Sequence, residues 1–106
     1  MKNDVGSQLT MQLQQYFGRY GEITLKREKP WASITFSGTR HYFELITEPG
    51  VEEKTVNALL APLVSHEFDI SGHFVADILV HLRAPADARI AIDILTIVDP
   101  VGKPAD

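Results

Sequence analysis

At 106 residues, with 44% apolar and 23% charged side chains, the chain has the size and composition of one folded domain rather than of a disordered segment. It contains no cysteine, which excludes disulfides, thiolate metal sites and a cysteine nucleophile. The formal charge of −4 is unevenly divided, with six Lys/Arg against four Asp/Glu in residues 1–47 and four against ten in residues 48–106. That balance argues against nucleic-acid binding, because phosphate contacts demand a clustered positive surface.

The first residues lack the apolar block of a signal peptide, and no run approaches membrane-spanning length, so the expected location is cytoplasmic with no membrane partner. Val5, Leu9, Leu13, Tyr16 and Phe17 then recur at helical spacing, and predict a helix over residues 5–17 with Asp4 or Ser7 as N-cap and Gly18 as its stop. An alternating segment from Glu22 to Glu28 predicts a strand that turns back through Lys29-Pro30. Phe36-Ser37-Gly38-Thr39-Arg40-His41 reads as a tight type II′ hairpin with glycine at its first central position, which completes a three-stranded meander.

After Pro49-Gly50, the stripe Val56, Leu59, Leu60, Leu63 and Val64 predicts a second helix, with Glu52 and Glu53 in its first turn and Pro62 ending or kinking it. From Phe68 to Leu82 apolar residues alternate with polar ones in a run too long for an ordinary strand, and Gly72 marks a bend or bulge. The short link Ala84 to Ala88 joins this segment to a last strand through Ile90, Ile92, Ile94 and Val98. The expected fold is α+β, in two layers: helix, three strands, helix, two strands, with both helices on one face of an antiparallel sheet. Residues 1–99 form the single domain and residues 100–106 a flexible tail.

No phosphate-binding glycine loop, nucleophile elbow, zinc motif or calcium loop occurs, so no catalytic residue, cofactor or metal site is assigned. The basic cluster Lys26, Arg27 and Lys29, with Trp31 and Arg40 nearby, reads as a solvated hairpin end. Two polar groupings remain. Trp31, Tyr42 and Thr35 share a predicted outer sheet face suited to ligand recognition by stacking and hydroxyl hydrogen bonds. On the last two strands Leu79 is expected opposite Asp93, which sets Asp77 and His81 diagonally beside that carboxylate, roughly 7 to 8 Å away. His41 reads as a core histidine and His66 as a cap on the second helix.

The segment from Trp31 to His41 resembles part of a family of small uncharacterised bacterial proteins, a likeness that implies bacterial origin and no particular activity. The expected element order is similar to that of type III secretion chaperones, which implies a small acidic homodimer that holds an unfolded segment of a client protein. The apolar residues Val75, Leu79, Leu95 and Ile97, expected to interleave with Asp77, His81 and Asp93 on the wet side of the sheet, form the predicted dimer interface. The expected function is thus a non-enzymatic, homodimeric protein-interaction or chaperone-like module. The rival is a small-molecule binding domain or small enzyme that uses the outer sheet face.

Overall fold

The computed structural model describes residues 4–81 and 88–100. The first helix, α1 (Val5–Phe17), has the predicted limits: the Asp4 carboxylate accepts a hydrogen bond from the Ser7 amide at 2.9 Å, and Gly18 follows the last turn. Its buried stripe, Leu9, Leu13 and Phe17, repeats every four residues and enters the core.

The chain then differs from the predicted meander. Strand β1 (Gly21–Ala32) runs straight through Lys29 and Pro30 and pairs antiparallel with β2 (Ser37–Thr47), so two strands, not three, separate the helices. Pro30 is tolerated because β1 is an edge strand and its missing N–H costs no ladder bond. The reversal lies at residues 33–36, where the Ser33 amide donates to the Phe36 carbonyl at 2.8 Å and the Phe36 amide donates to the Ser33 hydroxyl at 3.0 Å. A serine side chain closes this turn without any positive φ.

Gly38, expected at the turn, is therefore a strand residue, opposite Trp31 of β1 and Ile97 of the neighbouring strand. A Cβ there would overlap the Thr96 carbonyl. The glycine answers a close approach of two backbones, a demand as strong as a turn's but invisible to a search for turns.

Helix α2 (Glu53–Leu60) buries Val56 and Leu60 and passes at Pro62 into a 3₁₀ turn over Ala61–Ser65, as the proline requires. The alternating run after it is shorter than expected. Strand β3 spans only His73–His81, because residues 66–72 form an irregular connection ending at Gly72, whose φ of 69° marks the predicted bend. That connection is held by α1: the Gln12 side chain donates to the Asp69 carbonyl and accepts from the Asp69 amide, and Gln8 accepts from the Ser71 amide. Strand β4 (Arg89–Val98) pairs antiparallel with β3, while the link between them lies largely outside the described residues, as does the predicted tail beyond Pro100.

The sheet is antiparallel with strand order β1-β2-β4-β3, so β4 is inserted centrally and β3 forms the second edge. Leu9, Leu13 and Phe17 of α1, Val56 and Leu60 of α2 and Leu63 form one core cluster with Ile23, Phe43, Leu45, Ile78, Ile90, Ile92 and Ile94 of the sheet.

Each edge strand carries one bulge, at Lys26 between Leu25 and Arg27 and at Ala76 between Val75 and Asp77. A single extra residue exchanges the faces of everything beyond it. The β1 bulge sends Arg27, Lys29 and Trp31 to the face away from the core, here the outer face, and brings Glu28 beneath the sheet. The β3 bulge corrects a predicted interface residue. Val75 pairs with Thr96 and packs against the core, and Phe74, opposite Ile97, takes its place beside Asp77 and Leu79 on the outer face.

Candidate functional site

Four cross-strand rows span all four strands on the outer face, and Glu22, Ile46 and Arg89 continue it on three. From the turn end the four rows run Trp31, Gly38, Ile97, Phe74; Lys29, Arg40, Leu95, Asp77; Arg27, Tyr42, Asp93, Leu79; and Thr24, Glu44, Ala91, His81. The row containing Leu79 and Asp93 has the predicted register, with Asp77 and His81 on either side of Leu79.

Within this cluster Asp93 is engaged elsewhere, however. Asp93 turns toward β2 and accepts a hydrogen bond from Arg40 at 3.2 Å, an ion pair nearly buried at the carboxylate end. Among the described residues no three His, Cys, Asp or Glu side chains approach closely enough to hold a metal ion. Asp93 is best explained as the partner that lets Arg40 lie along a partly apolar surface, because an unpaired buried carboxylate would be costly.

The proposed ligand trio is also dispersed. Trp31 stands opposite Gly38, and Tyr42 lies four residues farther along β2, about 13 Å away at the rise of a strand. Tyr42 is covered by the Arg27 guanidinium, 4.4 Å from its ring centroid. Thr35 belongs to the exposed turn and not to the sheet.

Of the predicted interface residues, Leu95 and Ile97, on the central strand β4, are already buried within the single chain, at 7% and 4% exposure. The exposed apolar surface on this face comes from the edge: Leu79 and Phe74 are each 42% exposed. Toward the other edge, Lys26 of β1 and Arg89 of β4 each lie 3.9 Å from Glu44 of β2.

Beneath the sheet, the β1 bulge assembles a constellation that the residue pattern did not announce. His41, 1% exposed, meets Glu28 through Nδ1 at 2.7 Å and Thr96 through Nε2 at 2.8 Å. A carboxylate only accepts, so Nδ1 carries the proton and Nε2 faces the Thr96 hydroxyl. Carboxylate, imidazole and hydroxyl thus stand in the order of a nucleophile relay. Thr96 is itself buried, at 1% exposure, which closes its hydroxyl off from solvent. The three residues instead tie β1, β2 and β4 together at the end of the core where α1 begins, close enough to Glu28 that a Cβ on Gly6 would strike its carboxylate.

His66 places its ring between Tyr16 and Phe68, with centroids 4.9 and 4.7 Å away in edge-to-face contact. Its backbone amide, not its imidazole, closes the 3₁₀ turn by donating to Leu63. Tyr16 in turn donates its hydroxyl to the Leu59 carbonyl at 2.5 Å and holds α1 to α2; burial raises its pKa above the ordinary tyrosine value.

No protein family, no curated protein and no solved structure matches the chain. Its outer face therefore rests on its own chemistry: an aromatic and basic side contributed by β1 and β2, an acidic and apolar side contributed by β3 and β4, and a central band of buried Leu95 and Ile97.

Proposed function

We propose that the protein is a non-enzymatic, homodimeric protein-interaction module of chaperone-like character, a two-layer fold with both helices on one sheet face and a second copy on the other. The observation that carries this reading is the outer face. Phe74 and Leu79 stand exposed on one edge strand and Trp31 half-buried on the other, on either side of the buried Leu95 and Ile97, with ion pairs between. A surface of that kind matches a protein interface, with apolar anchors and satisfied polar groups, better than a solvated sheet. The dispersed positions of Trp31, Tyr42 and Thr35 favour it over a concave small-molecule site, whose polar groups must converge.

Light scattering at micromolar concentration tests the dimer: the expected mass is twice 11.8 kDa, and a monomer overturns the reading. The chaperone-like part is tested separately by asking whether the protein at equimolar ratio suppresses aggregation of a diluted, chemically denatured polypeptide.

A further inference from the structure

Most charges on the outer face find partners within the chain. Arg27 covers the Tyr42 ring, Arg40 pairs with Asp93, and Lys26 and Arg89 flank Glu44. Lys29 and Asp77 are different. Each points from an edge strand to the outer face, and neither has an ion pair or side-chain hydrogen bond among the described residues. They occupy the same cross-strand row, Lys29 on β1 and Asp77 on β3, at opposite ends of a sheet four strands wide. At about 4.8 Å per strand they lie near 14 Å apart, too far to meet in one chain.

Resting on the proposed dimer, we infer that the second copy packs face to face about a two-fold axis running parallel to the strands between β2 and β4, so that Lys29 of each copy meets Asp77 of the other. Charge complementarity selects this axis. Two stacked sheets related by a two-fold have their axis in the plane between them, and aligned packing sets it close to the strand direction or close to the perpendicular. An axis across the strands lays β1 on β1 and sets the basic residues Arg27 and Lys29 against themselves. An axis along the strands lays β1 on β3 and keeps each row in register with its counterpart. Lys29 then faces Asp77, and in the next row Trp31 faces Phe74 while Gly38 faces Ile97. Face-to-face sheets sit about 10 Å apart, a gap that a lysine and an aspartate side chain bridge together, and the usual offset of about 30° preserves the overlap of the middle rows.

The charge swap tests the arrangement. Lys29→Asp places two carboxylates at each contact and Asp77→Lys two ammonium groups, so each variant alone is expected to weaken the dimer by about ten- to a hundredfold. Mixing the two variants restores a carboxylate opposite an ammonium at both contacts, with the charges reversed at one of them, and native mass spectrometry is expected to show the heterodimer in excess over either homodimer. A wild-type chain that is monomeric overturns the outer-face reading itself. A wild-type dimer that tolerates both substitutions, or a mixture with no preference for the heterodimer, leaves the dimer standing and overturns this axis. Both positions are on edge strands and make no side-chain bonds among the described residues, so unchanged circular dichroism serves as the folding control.

Discussion

Gly38 and Tyr16 are residues whose neighbours fix what a substitution does. At Gly38 the nearest obstacle is the Thr96 carbonyl, a backbone atom of the central strand that has little room to move. Gly38→Ala is therefore expected to destabilise the fold by about 1–3 kcal/mol through overpacking alone, measured by denaturant melts; a neutral effect would show that the strands do not approach so closely. Tyr16 gives the fold a dependence on alkaline pH. Burial favours its neutral hydroxyl, so both folded and unfolded chains keep the proton below about pH 10, and above it the unfolded chain ionises first. The stability linked to Tyr16 is thus complete at neutral pH and is lost as the pH climbs from about 10 through its raised folded value. Tyr16→Phe should cost about 1 kcal/mol at neutral pH through the bond to Leu59, yet flatten the alkaline decline in melting temperature relative to wild type.

Among the elements, α1 and β4 were legible because local chemistry and pattern agree: an aspartate cap and a four-residue apolar repeat in one, unbroken alternation of isoleucines in the other. The first hairpin was not, because Ser33 supplies the turn hydrogen bond that glycine was expected to make possible, while Gly38 answers to a strand that lies more than fifty residues later in sequence. The bulges were equally hidden. Nothing in Leu25-Lys26-Arg27 or Val75-Ala76-Asp77 signals an extra residue, although each moves the side chains beyond it to the other face, which is why simple alternation puts Val75 rather than Phe74 on the outer face. The glutamines of α1 carry no signal of their role either. Gln14 donates to the Gly21 carbonyl at 2.9 Å and accepts from the Ile23 amide at 2.9 Å, which satisfies two backbone groups that the edge of β1 leaves without a strand partner. Gln14→Leu, similar in volume, is expected to cost about 1–3 kcal/mol and to speed amide exchange at Ile23 selectively; uniform exchange would argue against an edge clamp.

At the scale of the molecule, one face of the sheet serves the core and the other combines two kinds of apolar residue, which separates folding from association. Leu95 lies on the outer face but is buried by its own chain, whereas Leu79, one row away on the adjoining strand, is 42% exposed. A charge at position 95 has to be desolvated in the monomer, so Leu95→Asp is expected to unfold the chain whether or not a dimer exists. A charge at position 79 remains in water in the single chain. Leu79→Lys also sets an ammonium opposite Asp93, a favourable cross-strand pairing that protects the monomer fold. In the proposed dimer the same ammonium would be buried twice by symmetry, beneath the Arg27 row of the second copy, and would repel that guanidinium. Leu79→Lys should therefore give a folded monomer by light scattering, with a melting temperature lowered only by the loss of mass-action stabilisation and no longer dependent on protein concentration. A Leu79→Lys protein that remains dimeric would place the interface elsewhere, and a Leu95→Asp protein that stays folded would show that β4 is covered less completely than its exposure implies.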